Sequence, residues 1–279
     1  MKLDKRRKYY LILDCETATL PCAQDYAEEQ KKKICIAKPL IYDLAWTIVD
    51  KKGKVYCKRN FIISEIFSVP EVFNTAYYAS KRPIYLEQIA GGMVTVKPWR
   101  EAVQILESDM QSVAAVGAYN AMFDFKKAIP FTELYINMLY SAEYFDWYNM
   151  QKNICKEIAE GKRRESNSTF NPNEFMFHGK HFPLFDIWGI ACKNILNCNR
   201  YRDFCKANNF LTQSQKYYQT NAQVCYRFIT HNDDFVEAHT ALNDAEIESE
   251  IFAASIKKAK NQVEIGLIYF PFKLVGKIE

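Results

Sequence analysis

Two short apolar runs that lead into acids constrain this chain more than any other feature. Tyr9-Tyr-Leu-Ile-Leu13 stops at Asp14, and the small-residue run from Ala114 to Tyr119 is soon followed by Asp124. Runs this short fall below helix length and read as buried strands that deliver their last residues to a sheet edge. Between them, Leu40 to Val49 predicts a second strand and Lys54 to Ile63 a third. Asp50-Lys-Lys-Gly53 forms the turn, so the sheet opens as an antiparallel meander. Ala102, Val103, Leu106, Met110 and Val113 recur at helical spacing, which predicts a helix from Pro98 to about Ser112 with the proline at its first position.

Pro21 to Lys33 is polar and predicts a loop. Residues 65 to 96 mix Pro70, Pro83 and the Gly91-Gly92 pair with apolar patches, which predicts short helices and loops. Asn120 to Ile129 resumes helical character, putting Asp124 at a strand-to-helix corner. Phe131 to Glu160 is helical and aromatic-rich, Gly161 to Asn173 reads as an exposed loop, and 131–180 behaves as an insertion. His181 to Asp186 predicts a strand and Ile187 to Leu196 a helix, with further helices near 199–208 and 220–230. A long helix from about Thr240 to Lys260 carries Ile247, Ile251 and Ala254 on one face, and Lys257, Lys258 and Lys260 where cations complement the helix dipole. Residues 1–279 are expected to form one elaborated domain, with 261–279 a tail of unassigned role.

Hydrophobic residues are 49% and charged residues 25% of the chain, enough for a sizeable core and far from disordered compositions. A net charge of +4 permits a nucleic-acid partner without requiring one. The nine cysteines include no C-x-x-C pair, so neither a disulfide framework nor a zinc site is expected, Cys192, Cys198 and Cys205 included; a reducing, cytoplasmic setting fits them. The basic stretch Lys2 to Lys8 precedes only a five-residue apolar run, too short for a secretory signal, and no run of about 18 apolar residues predicts a membrane span.

Two-metal hydrolysis of a phosphodiester needs several carboxylates converging on ions about 3.5–4 Å apart. Asp14 and Glu16 are two residues apart, so on an extended strand both point to one face. Alone, Asp-x-Glu is a common triplet, and Asp244-Ala-Glu246 is a second copy. More specific is the ordered set: Asp14-Cys-Glu-Thr17 after one apolar strand, Asn120-Ala-Met-Phe-Asp124 after another, and His239-Thr-Ala-Leu-Asn-Asp244 opening a late helix.

This set resembles the DEDDh, or DnaQ-like, 3′→5′ exonucleases. The resemblance extends to the strand and hairpin of 40–56, the helix before Ala114 and Leu184-Phe-Asp-Ile187. It departs at Ala18-Thr19, where the family often has a glycine after the threonine, and at Tyr119, where it often has histidine. The resemblance implies an α/β fold, a ribonuclease-H-like mixed sheet flanked by helices and carrying a helical insertion. It further implies two divalent ions, Mg²⁺ or Mn²⁺, with Asp14 bridging both, Glu16 and Asp244 on one and Asp124 on the other. His239 becomes the general base, Thr17 lies near the 3′ hydroxyl, Leu20 is an apolar wedge, and Asn120 and Phe123 line the path of the strand. The implied substrate is the 3′ end of a nucleic acid, single-stranded DNA first, with RNA trimming by the same fold or a non-catalytic binding module as alternatives. Tyr77-Tyr78 and Tyr217-Tyr218 are candidates for base stacking, and Lys126-Lys127 and Arg163-Arg164 for phosphate contacts. His178, His181 and His231 are assigned no chemistry.

Overall fold

The β-branched and aromatic residues of the first motif strand place it at the centre of a seven-stranded sheet. The computed structural model describes residues 8–23, 38–160, 162 and 171–278. Strand β1 (Tyr10–Thr19) pairs antiparallel with β2 (Pro39–Val49), and β2 antiparallel with β3 (Val55–Ile63). The edge strand β4 (Thr95–Lys97) runs parallel to β3. On the other side, β5 (Ala115–Ala118) is parallel to β1, while β6 (Glu174–Phe177) and β7 (Lys180–Asp186) form a hairpin whose second strand is parallel to β5. The order is β4-β3-β2-β1-β5-β7-β6.

Helices α1 (Arg82–Ala90), α2 (Trp99–Gln111), α3 (Ile129–Leu139), α4 (Tyr144–Ala159), α5 (Asn199–Ala207), α6 (Ala222–Thr230) and α7 (Ala241–Lys258) flank the sheet. Side-chain alternation along β1 divides the core in two. Leu11, Leu13 and Cys15 pack with Trp99, Leu106 and Ile136 of α2 and α3. Tyr10 and Ile12 pack with Ile251 and Phe252 of α7 and with Ile187 and Ile190 of the turn Ile187–Ala191. With helices on both faces, every residue of β2 is buried. The chain thus has the expected α/β architecture, a mixed sheet flanked by helices.

Helix α7 is fastened along β2. Its Ala241 N–H donates to Asp43 at 3.0 Å, Ser249 and Thr47 share a hydroxyl hydrogen bond of 2.7 Å, and the Lys51 ammonium donates to the Asn261 carbonyl at 2.7 Å. At the hairpin turn Gly53 has φ +76°, and a Cβ there would lie 2.9 Å from Ala253 Cβ. Glycine meets both the left-handed turn and this close approach.

Several expectations need correction. β1 does not stop at Asp14; it continues to Thr19 because Thr17, Ala18 and Thr19 find partners in Ile41, Leu40 and Pro39. Pro98 precedes its helix, with ψ 146° and its carbonyl accepting from Ala102 N–H. Part of 131–180 belongs to the sheet, as β6 and the start of β7. In the tail, to which the sequence assigns no role, Val275 is buried and Gly266 bridges to Phe185. Most of the loops expected at 21–33 and 161–173 lie outside the described residues, as do the basic start and Arg163-Arg164. Among the described residues all cysteines are free, and no helix is long and apolar enough to cross a membrane.

Candidate active site

The strand period places Asp14 and Glu16 on the face of β1 that meets α7, opposite Leu13 and Cys15. The first turn of α7 brings in Asp244, 6% exposed. His239 stands just before that helix in the left-handed region, φ +50°. Ligand atoms of Glu16, His239 and Asp244 all lie within 4.8 Å of one another. Asp124, 3% exposed, sits at the corner after β5, where a π-helical turn runs from Asp124 to Ala128. The corner is held by Asp186, whose carboxylate accepts from the backbone N–H groups of Asn120 and Ala121 at 3.2 Å and of Gly189 at 3.1 Å.

These acids repel one another in a poorly hydrated site. Burial, then Glu248, Asp124, Asp244 and Glu16, push the Asp14 pKa well up. Burial and the charge of Asp244 raise Glu16 to about 9, and burial and Glu237 raise Asp244 to about 8. Asp124 reaches about 7 through burial, although the Cys15 thiol donates to its Oδ1 at 3.1 Å. The ammonium of Lys81 partly offsets the repulsion on Glu16 and Asp244. Among the described residues, Asp244 Oδ1 is buried without a hydrogen-bond partner. Clustered carboxylates of this kind, with one buried oxygen free, suit a hard divalent cation that prefers oxygen ligands.

His239 is held both from its own segment and from outside it. Its imidazole stacks on Tyr78, with ring centroids 4.4 Å apart and planes at 17°, and its Nδ1 lies 3.6 Å from Glu237. Lys81 donates to the carbonyls of Ala238 and His239 and lies over the Tyr78 ring. Burial, with Lys81 adding to it, lowers the pKa of His239, which favours the neutral imidazole.

The remaining expected positions are more scattered. Thr17 is half-buried, at a bulge where β2 has the extra residue Tyr42 between the partners of Glu16 and Thr17. Leu20 is fully buried in the core, so as placed here it presents no wedge surface. Asn120 is exposed, with φ 75° and no side-chain cap, and Phe123 is half-buried against the core. Lys126 is turned inward onto the Glu174 carbonyl, leaving Lys127 exposed. Tyr218 is core, Tyr217 packs on Phe272, and Tyr78 serves His239, so Tyr77, 89% exposed, is the open ring of the four. His178 and His181 meet glutamates, and His231 meets Arg200.

Three participants, Asp43, Glu248 and Lys81, are absent from the sequence reading, and a fourth, Tyr78, has a different role there. Asp43 is fully buried and accepts from Asn60, from Tyr85 at 2.9 Å and from Ala241 N–H. An acid inside the apolar run 39–49 was its visible signal. Glu248, 3% exposed, is one helical turn beyond Asp244. Tyr78, a base-stacking candidate in the sequence, stacks on His239 instead, and Lys81 carries no signal.

No family model matches the chain, and no curated protein does. Among solved structures it resembles a 3′-exonuclease described in 3′-end specific recognition of histone mRNA stem-loop, at TM-score 0.43 and 8% identity over 95% of this chain and 70% of that one. Cell-death related nuclease 4 is similar at TM-score 0.41 and 10% identity, over 90% of this chain and 64% of that one. A full-length 3′-exonuclease has TM-score 0.41 and 9% identity, over 94% and 88%. Likeness at this level assigns no activity.

Proposed function

We propose that this chain is a 3′→5′ exonuclease that hydrolyses phosphodiester bonds from the 3′ end of single-stranded DNA, using two Mg²⁺ or Mn²⁺ ions. The observation that carries this reading is the meeting of Glu16, His239 and Asp244, whose ligand atoms lie within 4.8 Å of one another, beside the buried Asp14, on which Glu16, Asp124 and Asp244 all act, with only Lys81 as a partial offset. In this reading Asp14, Glu16, Asp124 and Asp244 would hold the ions, as the motif resemblance implies. When bound, the ions supply charge stabilisation for the entering and leaving oxygens of the phosphoryl group. His239, as the neutral imidazole, accepts a proton from the attacking water while Tyr78 fixes its plane. The water oxygen bonds to phosphorus, the bond to the 3′ oxygen of the preceding nucleotide breaks, and a mononucleotide leaves.

Polarity rests on the motif resemblance, since two metals can cut any phosphodiester. The test is digestion of 5′- and 3′-labelled single strands, as matched DNA and RNA, beside a closed single-stranded circle. The reading expects 3′-terminal release, a resistant circle and loss of activity in a strong chelator. Rapid opening of the circle, or release of the 5′ label first as a mononucleotide, would overturn the polarity. Activity surviving exhaustive chelation would overturn the metal chemistry. Faster digestion of RNA would replace DNA as the substrate class.

A further inference from the structure

Glu248 follows Asp244 by four residues on α7, so the two carboxylates share one helix face. Its Oε2 accepts the Tyr119 N–H at 3.0 Å. Tyr119 directly follows β5, whose parallel register against β1 sets Ala115 beside Tyr10 and Gly117 beside Ile12. Carried two residues further, that register brings Tyr119 level with Asp14. The hydrogen bond therefore holds Glu248 over the seam between the first and second motifs. The electrostatics agree, since Glu248 is the strongest charged neighbour acting on Asp14, and Asp124 the strongest acting on Glu248.

A backbone N–H needs only a neutral acceptor, and glutamine would serve it. A carboxylate buried to this degree costs several kcal/mol unless a cation compensates it, yet among the described residues Glu248 forms no ion pair. An independent observation points to what supplies the charge. Asp244 Oδ1, one turn away on the same helix, is buried and has no partner among the described residues, as expected of an oxygen placed for a cation. We infer that Glu248 is a fifth carboxylate ligand of the divalent-metal centre, on the side of Asp14 and Asp124, an inference that rests on the metal-dependent reading above.

The test is Mn²⁺ binding to the full chain, read by calorimetry and by the electron paramagnetic resonance of free Mn²⁺, for wild type, Glu248→Gln and Asp14→Asn. Glutamine keeps the acceptor for Tyr119 and removes the charge. Glu248→Gln is expected to weaken Mn²⁺ binding about 10-fold or more and to shrink the Mg²⁺-induced rise in thermal midpoint, while its midpoint in chelator holds or rises. Glu248→Asp, which keeps the charge but shortens the reach, is expected to weaken binding as well, and it carries the test if the glutamine variant does not fold. Wild-type Mn²⁺ affinity in the folded variant would overturn the inference and leave Glu248 as an anchor for Tyr119. If binding is lost in Asp14→Asn but untouched in Glu248→Gln, only this inference fails. If wild type binds no Mn²⁺, the metal reading itself fails.

Discussion

Replacing Asp244 by Asn separates the two demands on this site, because the same charge that would hold a metal destabilises the protein without one. In the folded chain the Asp244 pKa is raised from 3.8 to about 8 by burial and by Glu237. A folded pKa above the unfolded one means the stability contribution is full below pH 4 and is lost as pH rises towards 8. At about 1.4 kcal/mol per pH unit, about 4 kcal/mol has gone by pH 7. Asparagine removes that term but leaves a buried amide unpaired, at about 1–3 kcal/mol, so the net gain in chelator is about 1–3 kcal/mol. In thermal terms this is a rise of about 2–4 °C for each kcal/mol. Saturating Mg²⁺ at about 100 times its Kd would add about 2.7 kcal/mol to wild type and little to the variant, while nuclease activity disappears. Thermal unfolding in chelator and in Mg²⁺, with an end-labelled digestion alongside, reads all three. A variant less stable in chelator that keeps the full Mg²⁺ shift would refute the reasoning.

Other outcomes follow from the same geometry. Without metal, the thermal midpoint of wild type should fall from pH 5 to pH 8, since Asp43, Asp124, Asp244 and Glu16 are raised to about 6, 7, 8 and 9, and Mg²⁺ should flatten that slope; a midpoint rising over this window counts against the charge cluster. His239→Ala should lower turnover by about 10²–10⁴-fold with little change in KM. Tyr78→Phe should retain near-native turnover and Tyr78→Ala lose much of it; equal turnover in both would show that stacking does not position the imidazole. Asp43→Ala strands three donors at about 1–3 kcal/mol each. It should lower urea-unfolding stability by about 3 kcal/mol or more, with Asp43→Asn intermediate.

How much of the molecule could be read in advance depended on whether a residue's role was local. The strands at Tyr10, Leu40, Val55 and Ala115 and the helices at Trp99 and Ala241 declared themselves through apolar runs and helical periodicity, the direct imprint of burial. The same patterns located Asp14, Asp124, Asp244 and His239 on the elements where they stand. Thr17 to Thr19 has no apolar run, and only pairing with residues 39–41 makes it strand. Lys126 looked like a surface cation because its partner, the Glu174 carbonyl, is 48 residues away. Glu248 reads as one more polar residue of an amphipathic helix until β5 closes over it. Tyr78 and Lys81 meet His239 across about 160 positions of sequence, a contact that no local pattern encodes.

The fastening of α7 along β2 makes that helix a ruler with fixed marks. Asp43 sets its origin at Ala241, the Thr47–Ser249 bond its middle, and the Gly53 turn presses on Ala253 beyond it. Each residue of an α-helix advances about 1.5 Å and turns about 100°. One residue inserted between Ala241 and Ser249 therefore cannot be absorbed by sliding. Either the anchors part, or Asp244 and Glu248 swing off the sheet. In this stretch the number of residues is specified as tightly as their identity, whereas the outlying connections between helices are free to change length without moving an acid.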